Sequence, residues 1–472
     1  MIRRRSAVLA VMAAAVLLIA IRLPLLRVPL DADEGGYAYL SRQWAAGGRL
    51  YGPVVWVDRP QGLMLAYRLV SAFGRSPVPI HLAAIGCALL LMASVAVAAH
   101  AIACQRTAVI AAFLVAGAGA APHLQGFMFN GELAAGAFSA AAVATVLRWR
   151  LVPRAGLLML AGAFGALAIL MKQSGFDGLA AAITLVLLAR RPGRLRALGW
   201  LTVGAAVPIG AAMLQAALTS WRDWWFAVIG YRLDTSAGSR GGLSGRWHNI
   251  VHDLPRLWPD LLPLGLLGLA GLVWVLVKRE YPAVIWLIFA TIGFAGGVFF
   301  FPHYWMQLVG PLCLLGALAL SAVPARLAVA LAVLACLPAA TWTIRVAAAS
   351  PDQRDRLAVP DSRLLANRDI APWLKAHARP GDQLYAFVSS ADLYYRTGLH
   401  TDFRYLWQAN LEAIPAAVGQ LQAYLAGPDR PDWVVLYQQP DAIDPTGTIR
   451  HTLASDYQQA VSIDGYQVLH AR

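Results

Sequence analysis

Three carboxylates within four residues, Asp31, Asp33 and Glu34, follow directly on the first long apolar run of a 472-residue chain. A charge near the bilayer interior costs about 3 kcal/mol or more, so carboxylates at the end of a span need water, a cavity or a cation to receive them. Acids clustered at the end of a span therefore signal a site. The same stretch carries Asp58-Arg59-Pro60, and three later positions share its character. Glu132 heads an apolar run two residues after Asn130, where it can cap a helix or, facing a second acidic cluster, join a site. Lys172, one of three lysines, closes another run in MKQSGF and suits a lipid phosphate, although an aliphatic stem can also snorkel without function. His303, Tyr304 and Gln307 open a further run, where they could face an interior cavity.

The rest of the chain must hold these residues at a membrane. Hydrophobic residues make up 59 % of it, charged residues 14 %, and the mean hydropathy is +0.57. Soluble domains carry about 25 % charged residues, so the composition is that of a polytopic membrane protein. The net charge of +14 invites a nucleic-acid reading, but residues 1–346 carry +17 and residues 347–472 carry −3. The basic charge belongs to membrane loops, and no nucleic-acid partner is expected.

About eleven runs are long enough to act as transmembrane helices: 6–26, 79–103, 108–121, 133–147, 155–171, 175–189, 197–218, 261–277, 282–300, 304–320 and 327–344. With Arg3, Arg4 and Arg5 inside, the loops at Arg106, Arg148–Arg154, Arg190–Arg196, Lys278-Arg279 and Arg326 all fall on the cytoplasmic side, as the positive-inside rule requires. The acidic loop 28–77, the loop near Asn130, the loop 220–260 and the C-terminal tail then lie outside. The first run reads as a retained anchor rather than a cleaved signal peptide, because no small-residue cleavage site precedes Arg22. None of the four cysteines lies in an outer segment, and no zinc pattern occurs.

In the outer loop 28–77, YAYLSRQW has apolar residues at helical spacing and is expected to lie as an amphipathic helix on the bilayer surface. A second such segment, 63–73, follows Arg59-Pro60, so the pair reads as a re-entrant platform. The loop 220–260 carries Trp221, Trp224, Trp225, Tyr231 and Arg232 as an interfacial belt. Its Gly-rich run 238–245 with Arg240 is read as a segment that could order over a substrate. The tail alternates helix and strand: helix 367–378, strand 383–388, helix 411–425, strand 433–437 and strand 466–469. That alternation implies a small extracytoplasmic α/β domain over 347–472, behind a catalytic membrane domain over 1–346.

These residues resemble a known family, the GT-C glycosyltransferases that use polyprenyl-phosphate sugars, in the branch of lipid A aminoarabinose transferase and the protein O-mannosyltransferases. The family's opening Asp-Glu pair with a Tyr three residues on is matched by DEGGYA, Asp33 to Ala38. Its basic residue and Pro before an apolar helix are matched by Arg59-Pro60-Gln61-Gly62-Leu63. Glu132, Lys172, HYWMQLVGPLCLLGALAL from His303 and ADLYYRTGLHTDFRYLW from Ala391 are similar in order and topology. Two departures stand out: Gly36 where relatives often carry Arg, and Gln61 where they carry a second Pro.

The resemblance implies an inverting glycosyltransferase in the cell (inner or plasma) membrane. A polyprenyl-phosphate sugar is the donor, and a hydroxyl of a glycan, lipid or protein is the acceptor. Asp33 would be the general base, with Glu34 beside it, since a partly desolvated carboxylate accepts a proton well. Arg59, Lys172 and His303 would bind the leaving phosphate. Asp31, Tyr37, Asp58, Glu132 and Tyr304 would orient acceptor and base. Hard oxygen ligands at Asp31 and Asp33 would suit Mg²⁺ or Mn²⁺ bridging to the phosphate, but the cations beside them make a metal unnecessary. A lipid-linked sugar transporter is the alternative. It would place key charges near the bilayer midplane and repeat its halves, and neither feature is found here.

Overall fold

The computed structural model describes residues 4–189, 191–237, 242–297, 299–388 and 390–472. Arg3, Arg190 and the 238–241 part of the Gly-rich run, Arg240 included, lie outside the described residues. Each of the eleven expected runs is a helix. In chain order, with the two platform helices and two short connectors among them, they begin with α1 (Arg4–Arg22), α2 (Ala32–Ala45), α3 (Gln61–Ser71), α4 (Pro77–Ile102) and α5 (Gln105–Ala118). Next come α6 (Gly131–Leu151), α7 (Ala155–Met171), α8 (Asp177–Leu187), α9 (Arg194–Thr219), α10 (Trp221–Trp225) and α11 (Tyr231–Ala237). The bundle closes with α12 (Leu243–Lys278), α13 (Pro282–Ala295), α14 (Met306–Ser321) and α15 (Ala325–Ala348).

Six helices among the described residues are both long and apolar enough to cross a membrane, and four more are apolar but only 10–17 residues long. The chain is thus a multi-pass membrane protein, with six helices that meet the criterion where eleven spans were expected. Helix contacts run through small residues, as in membrane bundles generally. A Cβ on Gly162 of α7 would lie 1.9 Å from the Leu201 carbonyl oxygen of α9, and one on Gly204 of α9 would lie 1.9 Å from that of Met159.

The tail forms α16 (Pro351–Ala358), α17 (Ser362–His377), β1 (Leu384–Phe387), α18 (Asp392–Thr397), α19 (Gln408–Ala413), α20 (Ala417–Ala426), β2 (Trp433–Leu436), α21 (Thr448–Asp456), β3 (Tyr457–Ile463) and β4 (Tyr466–Ala471). The sheet order is β1-β2-β4-β3, with β1 and β2 parallel and the other pairs antiparallel. The expected helix 411–425 is instead two helices. Pro415, just past the end of α19, has no N–H to continue the ladder and breaks the run. The edge strand β3 escapes a pattern reading because six of its seven side chains are half-buried or exposed and only Tyr457 is buried.

The amphipathic reading of the platform holds for one helix and fails for the other. On α3, Leu65, Leu69 and Phe73 just beyond it are 47 %, 60 % and 82 % exposed, as an interfacial helix requires, while Leu63, Met64 and Tyr67 face the protein. By contrast α2 is covered: Glu34 through Ser41 are all buried. The tail lies on it. Tyr39 stacks on Tyr394 at 5.0 Å, the Tyr39 hydroxyl accepts from the Thr401 N–H, and Arg42 sits 3.9 Å from the Tyr395 ring centroid. Buried apolar side chains of bundle and sheet form one continuous cluster.

Gly35 and Gly36 make this contact possible. A Cβ at Gly35 would stand 2.3 Å from the Asp392 Cα, and one at Gly36 would stand 2.5 Å from the Trp407 ring. An arginine at Gly36 would have no room here. Gly35→Ala should therefore lower the unfolding temperature of the purified protein, by about the 1–3 kcal/mol of an overpacked core. Gly86→Ala, inside α4 and with nothing within 4 Å of its added Cβ, should not lower it and can raise it through helix propensity.

Candidate active site

The first turn of α2 is built by its own acids. The Asp31 carboxylate accepts from the Glu34 N–H at 2.7 Å, and the Glu34 carboxylate accepts from the Asp31 N–H at 3.3 Å, a capping box. Glu34 also accepts from the Phe129 N–H at 2.7 Å and lies 3.4 Å from His81 Nε2. It is 1 % exposed and does not border the cavity described below. Glu34 thereby ties α2 to the loop before α6 and to α4. Burial, followed by the charges of Glu34 and Asp33, holds the Asp31 carboxyl well above the usual carboxylate range.

Asp33 is left facing the opposite way, with its side chain 24 % exposed. Its Oδ2 accepts from the Tyr37 hydroxyl at 3.2 Å and lies 3.9 Å from the Arg59 guanidinium. Arg59 donates to Asp58 at 2.7 Å, and its carbonyl accepts from the buried Tyr51 hydroxyl at 2.9 Å. Asp58 also receives Arg232 from α11, and the Gln173 amide donates to its carbonyl at 2.9 Å. Burial pushes the Asp58 carboxyl up, but the charges of Arg232 and Arg59 outweigh it, so the group sits below its ordinary range.

A second charged group stands beside the first. Lys172, at the end of α7, pairs with Glu132 in the first turn of α6, while Asn130 caps that helix by accepting from the Leu133 N–H at 2.8 Å. Glu132 is thus an ion-pair partner as well as a first-turn acid. His303 Nε2 lies 3.6 Å from the same carboxylate, and its Nδ1 meets the Gln125 side chain at 2.8 Å. The Lys172 ammonium stands 3.5 Å from the Tyr304 ring centroid.

Two adjoining cavities follow from this packing. The larger, about 780 Å³, is bordered by Asp31, Asp33, Tyr37, Asp58, Arg59 and His303, and across from them by tail residues that include Trp407 and Asn410. The smaller, about 220 Å³, is bordered by Lys172, Gln173, Phe176, Gly293, Phe294 and Gly297, and it shares Arg232 and Tyr304 with the first. Of the ten residues expected from sequence, all but Glu34, Glu132 and Lys172 border the larger cavity, and Lys172 borders the smaller.

Arg232 was not among them. Set in a loop of Trp and Tyr, it reads as part of an interfacial belt, and only the fold carries it onto Asp58. Trp407 and Asn410 were missed for the same reason, because the tail's approach to α2 is a tertiary event. Gln61 donates to the Ala212 carbonyl of α9 at 3.0 Å, which gives the departure from the second Pro a structural role. No group of three or more His, Cys, Asp or Glu that could hold a metal occurs among the described residues.

No protein-family model matches the chain, and no curated protein matches it in sequence. Solved structures do match it. ArnT from Cupriavidus metallidurans in the apo state superposes with a TM-score of 0.66 at 18 % identity, over 98 % of this chain and 97 % of that one. The same protein bound to undecaprenyl phosphate gives 0.66 at 17 % identity, over 99 % and 98 %. The oligosaccharyltransferase of Archaeoglobus fulgidus in its apo form gives 0.57 at 16 % identity, over 92 % of this chain and 70 % of that one.

Replacing Asp58 by Asn or Arg232 by Gln should each lower thermal stability. Because each partner leaves the other buried, a double-mutant cycle on unfolding should return a coupling of about 0.5–3 kcal/mol; additive effects would show that the pair does not interact. At these identities the likeness is one of fold: along nearly its whole length the chain has the fold of ArnT, and over 92 % of it that of the archaeal oligosaccharyltransferase.

Proposed function

We propose that the protein is a membrane glycosyltransferase that moves a sugar from a polyprenyl-phosphate donor to an acceptor hydroxyl with inversion. The observation that carries this reading is the interleaving of three carboxylates, Asp33, Asp58 and Glu132, with three cations, Arg59, Arg232 and Lys172, around adjoining cavities. It stands in a fold whose relative ArnT binds undecaprenyl phosphate.

In this reaction the acceptor oxygen attacks the anomeric carbon while the bond from that carbon to the phosphate oxygen breaks. The proton of the attacking hydroxyl passes to Asp33. Its Oδ2 accepts from the Tyr37 hydroxyl and lies 3.9 Å from the Arg59 guanidinium, and its residue borders the larger cavity. The phosphate leaves with growing charge, which Arg59 and Arg232 meet with planar, doubly donating guanidinium groups. Lys172 and His303 act from the other side, where Glu132 fixes both. Phosphate needs no strong acid to depart, so a second carboxylate acting as nucleophile is superfluous. Glu34 serves the base indirectly by anchoring the turn that carries it.

The Arg-rich helix ends lie opposite the site along the chain's alternation, and the positive-inside rule then puts the site and the tail (347–472) outside the cell membrane, with the membrane domain (1–346) crossing it about eleven times. Asp33→Asn should lower turnover of a polyprenyl-phosphate sugar by about 10²–10⁴-fold, the usual contribution of a general base, with expression and undecaprenyl phosphate binding intact. Near-wild-type turnover by the Asn variant would remove Asp33 from the chemistry.

A further inference from the structure

A third cavity, of about 350 Å³, shares no bordering residue with the two at the candidate site. It lies between the membrane domain, which contributes Leu30, Arg75 and Pro77, and the tail helices α17 and α18. Four cations border it, Arg75, Arg368, Lys375 and Arg396, against one carboxylate, Asp392. Two of the four are already matched: Arg396 donates to Asp392 at 2.8 Å, and Arg368 reaches Asp352 and Asp355. Arg75 and Lys375 are both exposed, and neither has an ion-pair partner among the described residues. The cavity therefore carries two positive charges with no counter-charge, and a concave site of one sign concentrates the opposite one.

Its place in the fold says where that anion comes from. Arg75 stands two residues after Phe73, which is 82 % exposed and continues the row of Leu65 and Leu69 on the lipid-facing side of α3. Pro77 opens α4, a 26-residue apolar helix long enough to cross a bilayer. A spanning helix begins where hydrocarbon gives way to headgroups, so a cavity bordered by its first residue lies at headgroup level. Leu30 and Pro77 give it an apolar side, and Lys375 faces them from the tail.

We propose that this cavity binds the headgroup of an anionic phospholipid, whose phosphate is met by Arg75 and Lys375. The inference does not depend on the glycosyltransferase reading. Arginine meets a phosphate with two parallel hydrogen bonds and lysine meets it as a point charge. A phosphodiester with an uncharged alcohol, as in phosphatidylglycerol, brings one negative charge. A choline headgroup adds an ammonium, which the cations repel. The volume is in the lower part of the roughly 300–1,000 Å³ range of ligand pockets, enough for a headgroup while the acyl chains stay in the bilayer. Because Arg75 joins α3 to α4 and Lys375 belongs to α17, one lipid holds the tail and the platform to the same membrane surface.

The test is native mass spectrometry of the full-length protein in detergent, titrated separately with dioleoylphosphatidylglycerol, dioleoylphosphatidylcholine and inorganic phosphate. Phosphatidylglycerol should bind saturably and more tightly than either of the others. Arg75→Gln and Lys375→Gln should each weaken it about fivefold, and the double variant about thirtyfold, the contribution of one and two basic side chains at a lipid surface. Both side chains are exposed, so the variants should keep the wild-type unfolding temperature. Arg59→Gln, which alters the other cavity, should leave phosphatidylglycerol binding as it is. Equal binding of phosphatidylglycerol by wild type and the double variant overturns the inference. So does equal affinity for phosphatidylcholine, and so does inorganic phosphate binding as tightly as the lipid, which would assign the cavity to a soluble anion.

Discussion

The arrangement depends on one constraint: charges at the edge of an apolar bundle persist only when each meets an opposite one. Arg59 has a side-chain exposure of 8 % and Lys172 likewise 8 %. An unpartnered charge at such depth would cost several kcal/mol, enough to expel the side chain or unfold its surroundings. The carboxylates of Asp58 and Glu132 prevent that and hold the two cations in place before any ligand arrives. Asp33, shared loosely with Arg59 at 3.9 Å, is the least committed carboxylate of the group. A site made this way is preorganised for an anion such as the phosphate of the proposed donor, because no cation has to be drawn in from solvent at the moment charge develops.

The tail completes that site rather than decorating it. It presses on α2 through Gly35 and Gly36, buries the helix that carries Asp33, and supplies the wall of the cavity that faces the bundle cations. Trp407 occupies the space beside Gly36. Arg232, reaching Asp58 from α11, brings a further cation to the same acids from a different element.

Much of this was legible in the residues. Apolar run lengths located all eleven bundle helices, and Asp33, Arg59, Glu132 and Lys172 stood out because charge is scarce and costly where they lie. What escaped was tertiary. The amphipathic pattern of α2 says that one face is covered, but lipid and protein satisfy that pattern equally, and only the packing of α18 against Gly35 decides for protein. Arg232 was hidden among aromatics that also serve as a membrane belt. Glu34 looked equivalent to Asp33 by type and position, yet one residue along a helix turns a side chain by about 100°, which takes Glu34 onto Phe129 and His81 while Asp33 borders the cavity. The break at Pro415 was visible in the letters, but the apolar residues on both sides outweighed it.

The proposed function requires Arg59 and the residues around it to hold the phosphate of a polyprenyl donor. The most direct measurement is native mass spectrometry of the protein extracted from its own membranes, compared with Arg59→Gln. The account requires a polyprenyl phosphate or its sugar ester bound one to one to the wild type and depleted in the variant. A wild-type protein that carries no such lipid, and takes up none when undecaprenyl phosphate is supplied, would contradict it.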